Sequence, residues 1–229
     1  MGSMTSLIIA TRNFHKVTEI RNILGTQFRC LSLEDFPPAP LVHEDGNTFA
    51  QNAAKKAVEL ATWFSISAVP NERVGINQAF VLADDSGLEV DALNGAPGVH
   101  SARFAVTDRT QDNSSDTDNL SKLLLLLETV PLEKRSARFR CVLALTPIVP
   151  RFMGKSPTAE EFEMHTRLFE GACEGRIAFL PGGKGGFGYD PVFIPTGYEQ
   201  SFAELGDAIK NKLSHRAKAL EALRSAVMA

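Results

Sequence analysis

The stretch "LIIATRNFHKVTEIRNILG", residues 7–25, changes hydrophobic period midway, and that change constrains the fold more than any other feature. Leu7 to Thr11 has the length and apolarity of a buried strand. Phe14 to Leu24 then sets Val17, Ile20 and Ile23/Leu24 on a helical stripe closed by Gly25. The alternation recurs along the chain. Phe28 to Leu33 reads as a strand broken by "FPPAP". Thr48 with Gln51 fits a capping box ahead of a helix that can share Phe49, Ala53, Ala57, Leu60 and Phe64 on one face. Phe80 to Ala83 is again a strand. Beyond a polar loop from Asp108 to Asp118, Leu120, Leu123, Leu124 and Leu127 mark a helix stopped before Pro131. Ala137 to Val149 and Thr166 to Phe179 read as long strands joined by a polar loop around Gly154 to Glu163. Val192 to Ile194 is a last strand, and Ser214 to Met228 a closing helix with Ala217, Leu220, Leu223 and Val227 inward. Strands alternating with amphipathic helices predict an α/β fold.

At 229 residues and 44% hydrophobic, the chain can bury a sizeable core within one domain, with room for two lobes. Met1-Gly2-Ser3 ahead of Met4 reads as an expression remnant, so the domain is expected over residues 4–229. The N-terminus has no basic region followed by an apolar one, and the leucines Leu123 to Leu127 fall far short of the ~20 residues that span a bilayer. Three scattered cysteines, Cys30, Cys141 and Cys173, form no CxxC pair, which fits reduced thiols in a cytoplasmic protein. A formal charge of -3 argues against a general nucleic-acid binder but leaves room for a local anion site.

Gly183 to Gly188 matches GxGxxG, yet Tyr189-Asp190-Pro191 leads into another extended run rather than a helix, so a tight turn is the simpler reading. Lys184 is followed by glycine, which removes a P-loop. The helix starts are more informative. Asn13 can cap the first helix and Ser214 the last, and each cap sets cations in the first turn: His15 and Lys16, then His215 and Arg216. The helix dipole disfavours cations there by ~0.3–1 kcal/mol. Solvated surface cations tolerate that cost; an anion at both helix ends repays it. Lys56, Lys184, Lys210 and Lys212 are further candidates for such a cluster. In "LADDSGLEV", Asp84 and Asp85 either bond turn amides ahead of Ser86-Gly87 or hold Mg²⁺, which takes one or two carboxylates plus phosphate oxygens and water. "HEDG" adds Glu44 and Asp45.

The segments "ATRNFHK", "HEDGNTFAQNAAKKA", "ADDSGLEVDALNGAPGVHSARF", "GGFGYDPVF" and "KNKLSHRAKAL", in this order over nearly the whole chain, resemble the non-canonical purine nucleoside triphosphate pyrophosphatases, the inosine triphosphate pyrophosphatase family. The resemblance implies an elongated α/β fold with a long mixed sheet flanked by helices, two lobes around a nucleotide cleft, and a homodimer. It implies Mg²⁺-dependent hydrolysis of ITP, dITP and XTP to the monophosphate and pyrophosphate. Carried over by position, Thr11, Arg12, Asn13, Phe14, His15 and Lys16 correspond to a phosphate-binding start. Glu44 and Asp85, with Asp84 as a further candidate, correspond to metal carboxylates, and Asp85 to the proton acceptor. Lys56 and Ser86 correspond to substrate contacts, Phe187, Gly188, Tyr189 and Asp190 to the base-stacking segment, and Lys210, His215 and Arg216 to base recognition.

Two departures stand out. Arg12 replaces a frequent glycine and adds a cation beside the expected phosphates, and Gln51 replaces a frequent glutamate that would assist a metal. The connections Ser65 to Gln78 and Val149 to His165 are longer than usual. On this reading the Asp84-Asp85 pair ends a strand at the cleft, with Asp85 orienting and deprotonating a water and Asp84 assisting or organising the turn. Two alternatives remain: a Maf-like pyrophosphatase of pyrimidine or modified nucleotides, against which "FGYDP" and "SHR" weigh, and a nucleotide sensor without turnover, which would not need Asp85.

Overall fold

The computed structural model describes residues 4–67, 79–106, 113–149 and 158–227. Most of the two long connections therefore lies outside the described residues, as do Met228, the tripeptide before Met4 and part of the polar loop from Asp108. Six strands, β1 (Ser6–Ile9), β2 (Arg29–Ser32), β3 (Ala79–Val90), β4 (Ser136–Pro147), β5 (Arg167–Ile177) and β6 (Phe193–Pro195), form one sheet in the order β2-β1-β3-β4-β5-β6. β1 runs parallel to β2 and β3, while β5 and β6 are antiparallel, so the sheet is mixed. The helices are α1 (Phe14–Leu24), α2 (Phe49–Ile66), α3 (Asp116–Leu126), α4 (Ala159–His165), α5 (Phe202–Leu205), α6 (Asp207–Leu213) and α7 (His215–Val227). Among the described residues no helix is long and apolar enough to cross a membrane.

The chain divides into two compact units. The first comprises residues 1–85, 142–169 and 222–229. Its core holds Leu7, Ile8 and Ile9 of β1, Ile20 of α1, and Leu60 and Phe64 of α2, with the rings of Phe36 and Phe64 edge to face at 4.9 Å. Such pairs are worth about 0.5–1.5 kcal/mol beyond the area they bury. The second unit comprises residues 86–141 and 170–221. There Leu88 and Val90 of β3, Leu123 and Leu127, Phe139 of β4, Ile177 of β5, Phe193 and Phe202 share one core, with Leu120 and Leu124 packed against it. The helical stripe expected around Leu120 to Leu127 is thus the face that α3 buries.

Several boundaries depart from the sequence expectation for identifiable reasons. β3 does not end at the aspartates: it runs on through Ser86 and Gly87 to Val90. The turn chemistry of Asp-Ser-Gly is overridden because Asp84, Asp85, Gly87 and Leu88 are all buried in the sheet. The polar loop expected around Gly154 to Glu163 contains α4, whose start is a capping box between Thr158 and Glu161 and whose anchor is the single buried side chain Phe162. The box at α2 is a variant of the expected one. Thr48 accepts from the Gln51 amide, but the Gln51 side chain accepts from Asn47 rather than from the cap residue.

Candidate active site

In the first unit, β1 feeds α1 through a short turn. Asn13 caps the helix by accepting from the Lys16 amide at 3.1 Å, and Thr11 Oγ1 accepts from the Asn13 amide at 3.1 Å. Phe14 and His15 are exposed on the first turn with their rings edge to face. Arg12 donates from Nη2 to the Ala39 carbonyl in the Pro-rich loop at 2.8 Å. Lys16 reaches β3, where Nζ meets Asp84 Oδ1 at 2.6 Å. The cation that the helix dipole disfavours is thereby held by a fully buried carboxylate.

The alternation of an extended strand sends Asp84 and Asp85 to opposite faces. Their partners accordingly come from different helices: Asp84 from α1, Asp85 from α2. Asp85 Oδ2 accepts from Asn52 Nδ2 at 3.0 Å. One turn further along α2, Lys56 Nζ donates to the Asp84 carbonyl at 3.0 Å and pairs with Glu44 of the "HEDG" turn. Lys16 thus pairs with Asp84 and Lys56 with Glu44, and Asp85 lies within electrostatic reach of both lysines and of Glu44. Burial pushes the Asp85 carboxyl up to about 6, and the Glu44 charge pushes the same way. Lys16, Lys56 and the Asn52 hydrogen bond oppose them. A carboxylate set this close to neutrality can both hold a cation and take a proton.

Asn52 is the member of this cluster that residue types alone do not reveal. It lies on the otherwise apolar face of α2, and the signal for it is its spacing of four residues from Lys56 on that face. Both residues are buried. A polar pair on an apolar helix face needs partners, and here the strand carboxylates and the "HEDG" turn provide them.

The second unit gathers the remaining candidates. The Gly-rich bend is a series of tight turns, with φ at +81° for Gly183, +73° for Gly186 and +60° for Gly188. Asp190, fully buried, accepts from the Phe187 amide at 2.9 Å and from Lys210 Nζ at 2.6 Å. A Cβ on Gly186 would lie 2.3 Å from that carboxylate. The Lys210 ammonium also lies 4.3 Å from the centre of the half-buried Phe187 ring. The Gly188 amide donates to Asp116 at 2.6 Å. Tyr189 presents no stacking face: it is buried in the core, where its hydroxyl donates to the Ser101 carbonyl at 2.9 Å, and burial raises its phenol above the ordinary range.

Ser214 does cap α7, with Oγ accepting from the Ala217 amide at 3.1 Å. The two cations that follow are not surface residues. His215 is buried and stacked on Phe139 at 4.8 Å, and the fully buried Arg216 donates from Nη2 to Ser86 Oγ at 2.9 Å. Lys184 and Lys212, by contrast, are exposed. The second unit therefore holds a half-buried ring beside a paired lysine, Phe187 and Lys210, and a buried guanidinium, Arg216, anchored to Ser86 of β3.

Residues 7–226 match the model of the Ham1 family. A dITP/XTP pyrophosphatase from Shouchella clausii is 42% identical over 224 residues, covering 98% of this chain and 97% of that protein. One from Desulforamulus reducens is 46% identical over 216 residues, or 94% and 92% of the two chains. Among solved structures, a HAM1 protein from Coxiella burnetii has a TM-score of 0.74 at 34% identity, over 98% of this chain and 99% of that one. The Staphylococcus aureus Ham1 protein has a TM-score of 0.73 at 31% identity, over 98% of each. With a family model spanning nearly its whole length and relatives above 40% identity over almost all of both sequences, this chain belongs to the Ham1 family.

Proposed function

We propose that this protein hydrolyses non-canonical purine nucleoside triphosphates, ITP, dITP and XTP, to the monophosphate and pyrophosphate. The observation that carries the reading is the buried Asp85, poised by Glu44, Lys16 and Lys56, in a chain whose relatives are named dITP/XTP pyrophosphatases. On the family resemblance, the residues around Asp85 are assigned to the triphosphate, and Phe187, Lys210, His215 and Arg216 to the base. An ionised Asp85 accepts a proton from a water molecule as the water's oxygen bonds to the α-phosphorus. The bond from that phosphorus to the bridging oxygen breaks, and the oxygen leaves with pyrophosphate. Lys16 and Lys56 offset charge on the phosphate oxygens. A base with a pKa of about 6 is well matched to neutral pH, since it is mostly ionised yet still basic.

Glu44 and Asp85 are hard oxygen donors close enough for Glu44's charge to raise the Asp85 carboxyl, which suits Mg²⁺. Among the described residues no group of three or more His, Cys, Asp or Glu side chains converges as a closed metal cage. One or two carboxylates completed by substrate phosphates is the usual way Mg²⁺ is held. Bound by Glu44 and Asp85, the ion would neutralise the triphosphate and the departing pyrophosphate. At the base, Arg216 and Lys210 are donors suited to the 6-oxo group of hypoxanthine or xanthine, and Phe187 supplies a ring for stacking. We further infer a cytoplasmic homodimer, on the strength of the family resemblance.

Pyrophosphate release from ITP, dITP, XTP, ATP, GTP and UTP, each with Mg²⁺ or EDTA, tests the reading. The expected result is release from the first three, abolished by EDTA and lowered about 10²–10⁴-fold in Asp85→Asn. Preference for UTP would favour the pyrimidine alternative, and binding without any release would mark a sensor.

A further inference from the structure

Asn52 is almost fully buried in α2, and both ends of its amide are engaged. Its Oδ1 accepts from the Gly46 amide at 2.7 Å, while its Nδ2 donates to Asp85 Oδ2 at 3.0 Å. A backbone N–H can only donate, so the amide oxygen must face Gly46 and the NH₂ must face Asp85. Rotation of the amide would break both bonds at once. One oxygen of Asp85 is thereby committed to a fixed donor, and the other is left for chemistry.

The same residue closes a ring of contacts around the site. Glu44 lies two residues before Gly46 in the turn and pairs with Lys56, which also donates to the Asp84 carbonyl at 3.0 Å. The turn carrying Glu44 and the strand carrying Asp85 are therefore tied together through α2 by Asn52 on one side and Lys56 on the other. The approach is tight: a Cβ on Gly46 would lie 2.7 Å from Asn52 Oδ1 and 2.9 Å from Gln51 Cβ. Glycine is what lets the turn reach the amide.

We propose that Asn52 is a positioning residue for the hydrolysis described above: it orients the Asp85 carboxylate and sets the spacing between Asp85 and Glu44. The inference rests on that reading of function. Groups that orient a reacting or ligating carboxylate typically account for roughly 10–100-fold in metal affinity or activity. Substrate binding, which draws on other residues, should change little.

Two variants test this from opposite ends. Asn52→Asp keeps the size and the acceptor for Gly46 but loses the donor to Asp85. Gly46→Ala leaves the amide intact and pushes against it from the turn. With ITP and Mg²⁺, each is expected to lower kcat by about 10–100-fold with KM within about threefold of the parent. For Gly46→Ala, Mn²⁺ binding without nucleotide, followed by electron paramagnetic resonance, is expected to weaken about tenfold. If Asn52→Asp does not fold, Gly46→Ala decides by the same two measurements. Wild-type turnover together with a variant kcat within about twofold of it overturns the role of Asn52. Absence of wild-type turnover overturns the function itself, and this inference with it.

Discussion

Asp85 carries an electrostatic cost in the folded chain. Its folded carboxyl titrates at about 6 against an ordinary 3.8, chiefly because it is buried. Between those values the folded chain retains a proton that the unfolded chain has released, so stability is highest below the window and falls as pH rises through it. Above the window the ionised carboxylate costs roughly 3 kcal/mol. Asp85→Asn carries no such cost. In EDTA at about pH 7.5 the variant is expected to melt several degrees above the parent, with the gap closing near pH 4. A gap of equal size at both pH values would mean that the substitution acts through packing instead. The charged members of the site, Glu44, Lys16, Lys56 and Asp85, were legible from residue type and order because they combine into a recognisable pattern. Asn52 was not, since an asparagine beside a lysine on a helix looks like an ordinary polar residue until its partners are seen. The burial of Tyr189 was equally hidden, because an aromatic inside a glycine-rich motif carries no sign of whether its ring faces solvent or core.

Elements place these residues by a few close approaches. β5 passes so near the first turn of α7 that a Cβ on Gly171 would lie 2.1 Å from the His215 carbonyl and 2.6 Å from the Ala219 amide. Both are backbone atoms that cannot rotate away, so Gly171→Ala must displace the turn bearing His215 and Arg216. The expected outcome is a raised KM for ITP with Mn²⁺ binding unchanged, because the carboxylate cluster belongs to other elements. A parental KM despite that displacement would show that Arg216 has no part in binding the base. The capped starts of α1 and α7 were readable in sequence because Asn13 and Ser214 each stand just before a periodic stripe. α4 was not, because its short capping box sits in a polar stretch with only Phe162 to bury. The full length of β3 was also hidden: Asp-Asp-Ser-Gly has the composition of a turn, and only the sheet's pairing keeps it extended.

At the scale of the whole molecule, the order of strands and helices followed from the hydrophobic periods, and the chemistry from two sets of residues, one in each compact unit. The first cluster has the carboxylates and lysines that triphosphate hydrolysis needs, and the second has the ring and donors that a purine needs. In the proposed reaction water attacks the α-phosphorus and pyrophosphate leaves intact. Single-turnover hydrolysis of ITP in heavy-oxygen water, with both products weighed by mass spectrometry, tests it directly. One heavy oxygen is expected in the inosine monophosphate and none in the pyrophosphate. Heavy oxygen in the pyrophosphate, or formation of inosine diphosphate and phosphate, would contradict it.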